Sequence, residues 1–351
     1  MDHPIGTDLL EYAVRGLREK SDAPMGSIPN DLRTAFSLFS LHMVATGHPS
    51  RGNWNEFVEL LYAPLFEWKL LGMPEELLNR TVLTPSGELD DWTDEIHSTG
   101  AVSSNRDERL MPEALQTCRQ QGDQDAYTAF RRFLVENPVI EENHLAREMN
   151  STQLRPLRDL LKNCYESVPS TCQFSNGSTA LLCGYCGWTL RSDGERLHCS
   201  SDICRTRTHG FKHIREVQLS GLRRLKRGLA GYVCRPGKAE LSLASQLERM
   251  GLEVTLYPHF DAFDLLVCKG KMRLAIDVKD VHSPTLLAHD IAPIPASEEW
   301  TEGWFVVPDD QVRATRGYLD IVRRRAGTLL GDRTRIATVK TLVKHIESVT
   351  S

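Results

Sequence analysis

No apolar run in these 351 residues approaches the ~18–20 needed to cross a membrane as a helix, so no transmembrane segment is expected. The start, MDHPIGTDLLEY, has neither the basic head nor the apolar middle of a secretory signal, and a cytoplasmic chain is the expectation. Disulfide spacing is missing too. Of nine cysteines, Cys118, Cys164, Cys172, Cys234 and Cys268 are scattered and read as reduced thiols, with Cys268 expected in the core. The glycines build no phosphate loop ending in Lys-Ser/Thr, which argues against a nucleotide-driven motor. Internal repeats and low-complexity tracts are absent. Aromatics are only 7% of the chain, and Trp54, Trp68, Trp92, Trp300 and Trp304 read as core or interface anchors rather than base-stacking platforms.

What is present suffices for two or three domains at ~100–200 residues each. Apolar residues make up 40% and charged residues 25%, an ordinary globular balance. The formal net charge of −5 conceals an asymmetry. Residues 1–150 hold 13 Lys/Arg against 25 Asp/Glu, a net of −12, while the remaining 201 hold 29 against 22, a net of +7. Between Arg205 and Lys238 ten basic residues face one acid, Glu216. Such a stretch is the footprint of nucleic-acid binding, with Arg205, Arg207, Arg223, Arg224, Lys226 and Arg227 as the candidate contacts. Arg313, Arg316, Arg323, Arg324 and Arg325 could extend it. The acidic first half would repel a phosphate backbone and suits protein contacts.

Apolar spacing predicts helices through residues 1–168, with Leu32, Phe36, Phe39 and Met43 in one and Trp54, Phe57, Leu60 and Leu61 in the next. Ser86–Arg109 reads as a polar loop, and helical spacing resumes over Pro112–Gln120, Asp125–Val135 and Gln153–Ser167, ending at Pro169. A cysteine module over 178–210 follows, then a basic helical connector over 211–237 in which Val217, Leu219, Leu222, Leu225 and Leu229 set the apolar face. The rest, 238–351, opens with an amphipathic helix stopped by Gly251. Strands are expected at Leu252–Tyr257, Phe263–Cys268, Met272–Val278 and Gly303–Val307, then a basic helix over Gln311–Ala326 and a closing segment, Arg335–Ile346. That order describes an α/β sheet covered by helices.

Within the cysteine module, Cys183-x2-Cys186 and Cys199-x4-Cys204 stand twelve residues apart. Two close pairs joined by a hairpin-length spacer can surround zinc tetrahedrally, and four filled positions make the site structural. Gly184 and Gly187 supply a flexible knuckle. The module would present Arg205 and Arg207 to a phosphate backbone.

The second constellation is FDLLVCKGKMRLAIDVKD, two strands joined at Lys269-Gly270-Lys271. Period-two alternation puts Asp277 and Lys279 on one side, and the hairpin returns Asp264 beside them. Two carboxylates and an ammonium on one face suit a divalent cation with a charged group to steer water, which phosphodiester cleavage needs. Glu240, early in the preceding helix, could reach the same cation or merely compensate the helix dipole. Asp261 is the rival first acid, and Asp280 and His282 read as a solvated strand end.

With Glu240, Asp264 and Asp277-Val278-Lys279 in that frame, region 230–330 resembles the PD-(D/E)xK restriction-endonuclease-like superfamily. The resemblance implies Mg²⁺ held by Asp264 and Asp277, Lys279 orienting or activating water, and Glu240 as accessory acid. Phe263 stands where that family usually has proline. More narrowly, RPGKAELSLASQLERMGLEV, DAFDLLV and AIDVKD, behind a four-cysteine ribbon and a helical region, resemble the nuclease of the pPIWI-RE three-gene islands. The fold implied is an α/β C-terminal restriction-endonuclease-like domain with a zinc ribbon and a mainly α-helical N-terminal domain. The function implied is a Mg²⁺-dependent DNA endonuclease of bacterial defence against plasmids or phage. It would work with a PIWI-like protein and a DinG-like helicase on DNA or an RNA–DNA hybrid. Cutting both strands would need two sites, hence a homodimer or a second nuclease. The alternative is a non-catalytic zinc-ribbon adaptor that binds nucleic acid and recruits other factors.

Overall fold

The structure, a computed structural model, describes residues 5–22, 27–47, 53–70, 73–84, 87–90, 92–93, 96, 106–192, 197–199, 204, 207, 214–330 and 333–350. The chain forms two compact units, Met1–Arg106 and Asp107–Ser351. The division falls well before the boundary expected near Pro169, because the helices after residue 106 share a core with the cysteine module. Among the described residues no helix is long and apolar enough to cross a membrane.

The first unit contains α1 (Ile5–Asp22), α2 (Asn30–Ala45) and α3 (Trp54–Tyr62). Gly16 lets α1 and α2 touch: a Cβ there would sit 2.3 Å from the Leu32 backbone nitrogen. Asn53 and Glu56 cap α3 reciprocally, which satisfies two otherwise unpaired amides. Ala63-Pro64 ends that helix, as the proline predicts. About half of Ser86–Arg109, expected as a polar loop, lies outside the described residues, and its last four residues already belong to the next helix.

The second unit begins with α4 (Arg106–Gln121) and α5 (Gln124–Glu136), then β1 (Val139–Glu141), α6 (Glu142–Glu148), α7 (Arg158–Asn163) and β2 (Tyr165–Ser167). The helix expected over Gln153–Ser167 therefore ends in a strand. The cysteine module supplies β3 (Thr179–Leu182), β4 (Arg191–Ser192) and β5 (Leu197–His198). The first part of the predicted basic helical connector is instead two strands, β6 (Arg215–Gln218) and β7 (Leu222–Leu225), while from Arg227 onward it is helical as expected. Gly221, at φ +68°, turns the chain between them. β6 pairs with β3, and β7 lies between β1 and β2, so partners distant in sequence override the helical spacing.

A five-stranded sheet follows α8 (Arg235–Arg249): β8 (Glu253–Leu256), β9 (Leu265–Lys269), β10 (Met272–Val278), β11 (Glu302–Val307) and β12 (Thr334–Thr338). Their order is β12-β11-β10-β9-β8, antiparallel on the β8–β9–β10 side and parallel on the β10–β11–β12 side. Four of these strands match expectation to within a few residues. The fifth, β12, was not foreseen. Leu243 and Leu247 of α8 and Leu342 and Ile346 of α11 (Val339–Thr350) cover one face with Leu265, Leu274 and Ile276. On the other face Leu287 of α9 (Pro284–Asp290) and Val322 of α10 (Tyr318–Ala326) pack on Ala275 and Phe305. Cys268 is half-buried rather than in the core, its sulfur 3.4 Å from Arg273 Nη1.

Candidate active site and cysteine centre

The Leu265↔Ile276 register of the β9–β10 hairpin continues outward to place Asp264 opposite Asp277. Asp277 projects to the face that bears Ala275, since side chains alternate along a strand, and Asp264 sits just before the first residue of β9. Asp264 is 6% exposed, and its Oδ2 accepts the Val278 amide at 2.7 Å, which fixes the carboxyl across the strand end. Lys279 and Asp277 pair at 2.8 Å. Glu240, 2% exposed, enters from the first turns of α8. Gly237 makes this possible: a Cβ there would lie 2.3 Å from Val135 Cγ2, so only glycine lets α8 and α5 approach so closely.

The field of these groups is mutual. Burial pushes the Asp264 carboxyl well above its ordinary value, and Glu240 and Asp277 add to the rise. Glu240 is raised chiefly by burial, with Asp261 and Asp277 contributing against Arg131. Burial opposes the charge on Lys279, but Asp277 and Asp264 outweigh it and raise its pKa. Lys279 is therefore a fixed ammonium, suited to donating hydrogen bonds and unsuited to acting as a base.

Sequence reasoning missed Arg131. From α5 its Nη2 donates to Glu240 Oε1 at 2.9 Å and to Asp264 Oδ1 at 3.3 Å, while Nη1 pairs with Asp261. Its guanidinium carbon lies 4.2 Å from the centre of the Tyr257 ring. A signal existed: Tyr127, Arg131 and Leu134 share one stripe of α5, and a charge on a buried stripe asks for partners. Asp261, the rival first acid, sits in a turn where Tyr257, His259, Phe260 and Asp261 all have positive φ, 51–67°. Each such residue costs about 1–3 kcal/mol, so neighbours must hold the turn. They do: Gln124 Nε2 donates to the Tyr257 carbonyl at 2.9 Å, Gln124 Oε1 accepts the Phe260 amide, and the Tyr127 hydroxyl donates to Asp261 at 2.8 Å.

The donor chemistry fits a hard divalent cation. Glu240, Asp264 and Asp277 lie close enough to raise one another's pKa or feel one another's charge, though their oxygens are not gathered within 4.8 Å, and Glu240 Oε2 is buried without a hydrogen-bond partner. The other cluster is soft. Cys183, Cys186, Cys199 and Cys204 are all buried, with sulfurs within 4.8 Å of one another, so they could bind a metal such as zinc. Among the described residues no other group of three or more Asp, Glu, His or Cys gathers its ligand atoms that tightly. Hydrogen bonds from Cys186, Cys199 and Cys204 lower the Cys183 thiol, whereas Cys199 and Cys204 are raised. The knuckle is closed by the Cys183 amide on the Trp188 carbonyl and by Gly187, at φ +76°, against Pro138.

The predicted nucleic-acid residues are scattered. Arg205 lies outside the described residues. Arg207 turns inward, pairing with Asp280 and Asp310, so Asp280 is not the solvated strand end expected. Arg224 is buried on Glu166 and over the Trp188 ring, and Arg223 reaches Glu142 at 2.9 Å. Lys226 and Arg227 are half-buried, while Arg313, Arg316, Arg323, Arg324 and Arg325 are exposed.

Residues 237–350 match the family described as "REase associating with pPIWI_RE", and residues 13–141 match "pPIWI_RE three-gene island domain Y". The chain is a pPIWI-RE island REase-like protein with a helical N-terminal region. No curated protein and no solved structure matches it. The first matched segment takes in Glu240, Asp264, Asp277 and Lys279, and the second takes in Arg131.

Proposed function

We propose that the chain is a Mg²⁺-dependent DNA endonuclease of bacterial defence, working with a PIWI-like protein and a helicase encoded beside it. The observation that carries the reading is the convergence of Glu240, Asp264, Asp277 and Lys279 at one end of the β9–β10 hairpin. Asp264, Asp277 and Glu240 would hold the cation. Bound there, it would polarise the scissile phosphate and lower the pKa of water. Lys279 keeps its proton, donates to the attacking oxygen or the phosphate, and is itself aimed by Asp277. The family descriptions support partners within the island.

The soft centre suits structural zinc. A tetrahedral ion with Zn–S near ~2.3 Å sets sulfurs about 3.8 Å apart. The Cys186–Cys199 separation is 3.5 Å, which favours one ion. The exposed arginines Arg313, Arg316, Arg324 and Arg325 support a phosphate-binding surface.

A second reading, the non-catalytic adaptor, draws on one observation: Arg131 already pairs with Glu240 and Asp264. Plasmid cleavage with Mg²⁺ and the island partners, comparing wild type with Asp277→Ala and Lys279→Ala, separates the two. Cutting lost in both variants supports the nuclease. Equal cutting by all three removes these residues from the mechanism, and salt-dependent binding without cleavage favours the adaptor.

A further inference from the structure

Arg131 and the acids it touches come from different family segments, separated by 109 residues at Glu240 and 133 at Asp264. A single guanidinium nitrogen bridges Glu240 Oε1 and Asp264 Oδ1, two of the oxygens best placed to face a shared cation. We infer that Arg131 is the resident counter-cation of the site, holding the place between Glu240 and Asp264 that a divalent ion takes, and yielding it by withdrawing onto Asp261. This rests on the reading of those acids as a cation-binding set.

Three observations carry the inference. The bridge itself is direct, and Arg131 is only 14% exposed, so its charge is poorly screened by solvent. The carboxylate oxygens of Glu240, Asp264 and Asp277 are not gathered within 4.8 Å, as a loaded site would require, while Arg131 stands among them. Asp261 offers the destination, since Nη1 is already paired with it and the Tyr127 hydroxyl steadies the carboxylate. The Tyr257 face supports the guanidinium without a charge of its own. α5 also braces the left-handed turn through Gln124, so the arginine and its destination are carried by one helix. With Arg131 in place, Glu240, Asp261, Asp264 and Asp277 face two cations, Arg131 and Lys279. Removing one leaves a site with greater appetite for positive charge.

The test is Mn²⁺ binding by calorimetry on the full, zinc-loaded chain without DNA, for wild type, Arg131→Met, Asp261→Asn and Asp264→Asn. Arg131→Met should bind Mn²⁺ about tenfold tighter or more, the scale on which one neighbouring charge shifts proton binding to a carboxylate. Asp261→Asn should bind more weakly than wild type, because the arginine loses its alternative partner. Equal or weaker binding by folded Arg131→Met overturns the inference. Should that variant fail to fold, wild-type affinity in Asp261→Asn overturns it instead. Binding abolished by Asp264→Asn yet indifferent to Arg131 leaves the cation site standing and sinks only the arginine's role. No Mn²⁺ binding in any form, or binding unaffected by Asp264→Asn, sinks both.

Discussion

Arg207 grips Asp280 with two nitrogens, Nη1 to Oδ2 at 2.6 Å and Nη2 to Oδ1 at 2.8 Å, one residue beyond Lys279. Arg207 lies three residues past Cys204 and also stacks 4.7 Å from the centre of the Tyr185 ring, inside the Cys183–Cys186 knuckle. The cysteine centre and the strand carrying the candidate chemistry are thus joined by one ion pair. Gln311 completes it from the far side at 2.9 Å.

The Asp280 side chain is 1% exposed, so removing its partner strands a buried charge. Arg207→Met should destabilise the second unit by about 3–5 kcal/mol, and Asp280→Asn in the same background should recover part of the loss. Denaturant unfolding of the four members of the cycle measures this. Additive losses would mean that the pair is not coupled.

How much of this was legible in the sequence follows from distance along the chain. The β9–β10 hairpin was readable because its pattern is local: period-two alternation on both sides of Gly270, which takes φ +57°. The four cysteines were readable for the same reason. Glu240 announced itself only as an acid early in a helix. Arg131 and Arg207 were opaque, since each looks like a solvated arginine until the fold brings up partners 109 and 73 residues away. The β6–β7 segment was misread because spacings of two, three and four between apolar residues suit either a helix or a strand. β12 escaped notice because Thr334–Thr338 carries only two apolar residues and pairs on one side alone.

Gly237→Ala would ordinarily strengthen a helix by about 0.5–1 kcal/mol. Here the added methyl meets Val135 at 2.3 Å, and overpacking of this kind costs about 1–3 kcal/mol. The expected outcome is a net loss of thermal stability, with Val135→Ala restoring it. The wedge also draws Glu240 away from Arg131, so Mn²⁺ binding should change together with stability.

Asp264 gives the stability a pH dependence. Its carboxyl is raised above the ordinary 3.8 by burial and by Glu240 and Asp277, so the folded chain holds this proton more tightly than the unfolded chain. That contribution is complete below 3.8 and is lost as pH rises through the raised value. Without added divalent cation, the unfolding midpoint should fall as pH rises above 3.8 and through the raised Asp264 value, and Asp264→Asn should fall less steeply. Mg²⁺ should flatten the wild-type decline, because a bound cation replaces the lost proton. Identical slopes in both proteins would show that Asp264 titrates as an ordinary carboxyl.

Lys279 offers the sharpest test of the chemistry, because its pKa, raised above the ordinary 10.5, keeps it an ammonium at neutral pH. A residue that donates from a fixed charge should be partly replaced by another fixed charge. Lys279→Met should lower the single-turnover cleavage rate by about 10²–10³-fold, the scale of losing one preorganised donor, while Mn²⁺ affinity rises, because one of the two cations facing the acids is gone. Lys279→Arg should retain an intermediate rate. The alkaline limb of the pH–rate profile should keep its position in Lys279→Arg, since neither side chain loses its proton there. A rate that rises with pH through the lysine's titration, and loses that rise in Lys279→Arg, would mean that the lysine works as the neutral amine.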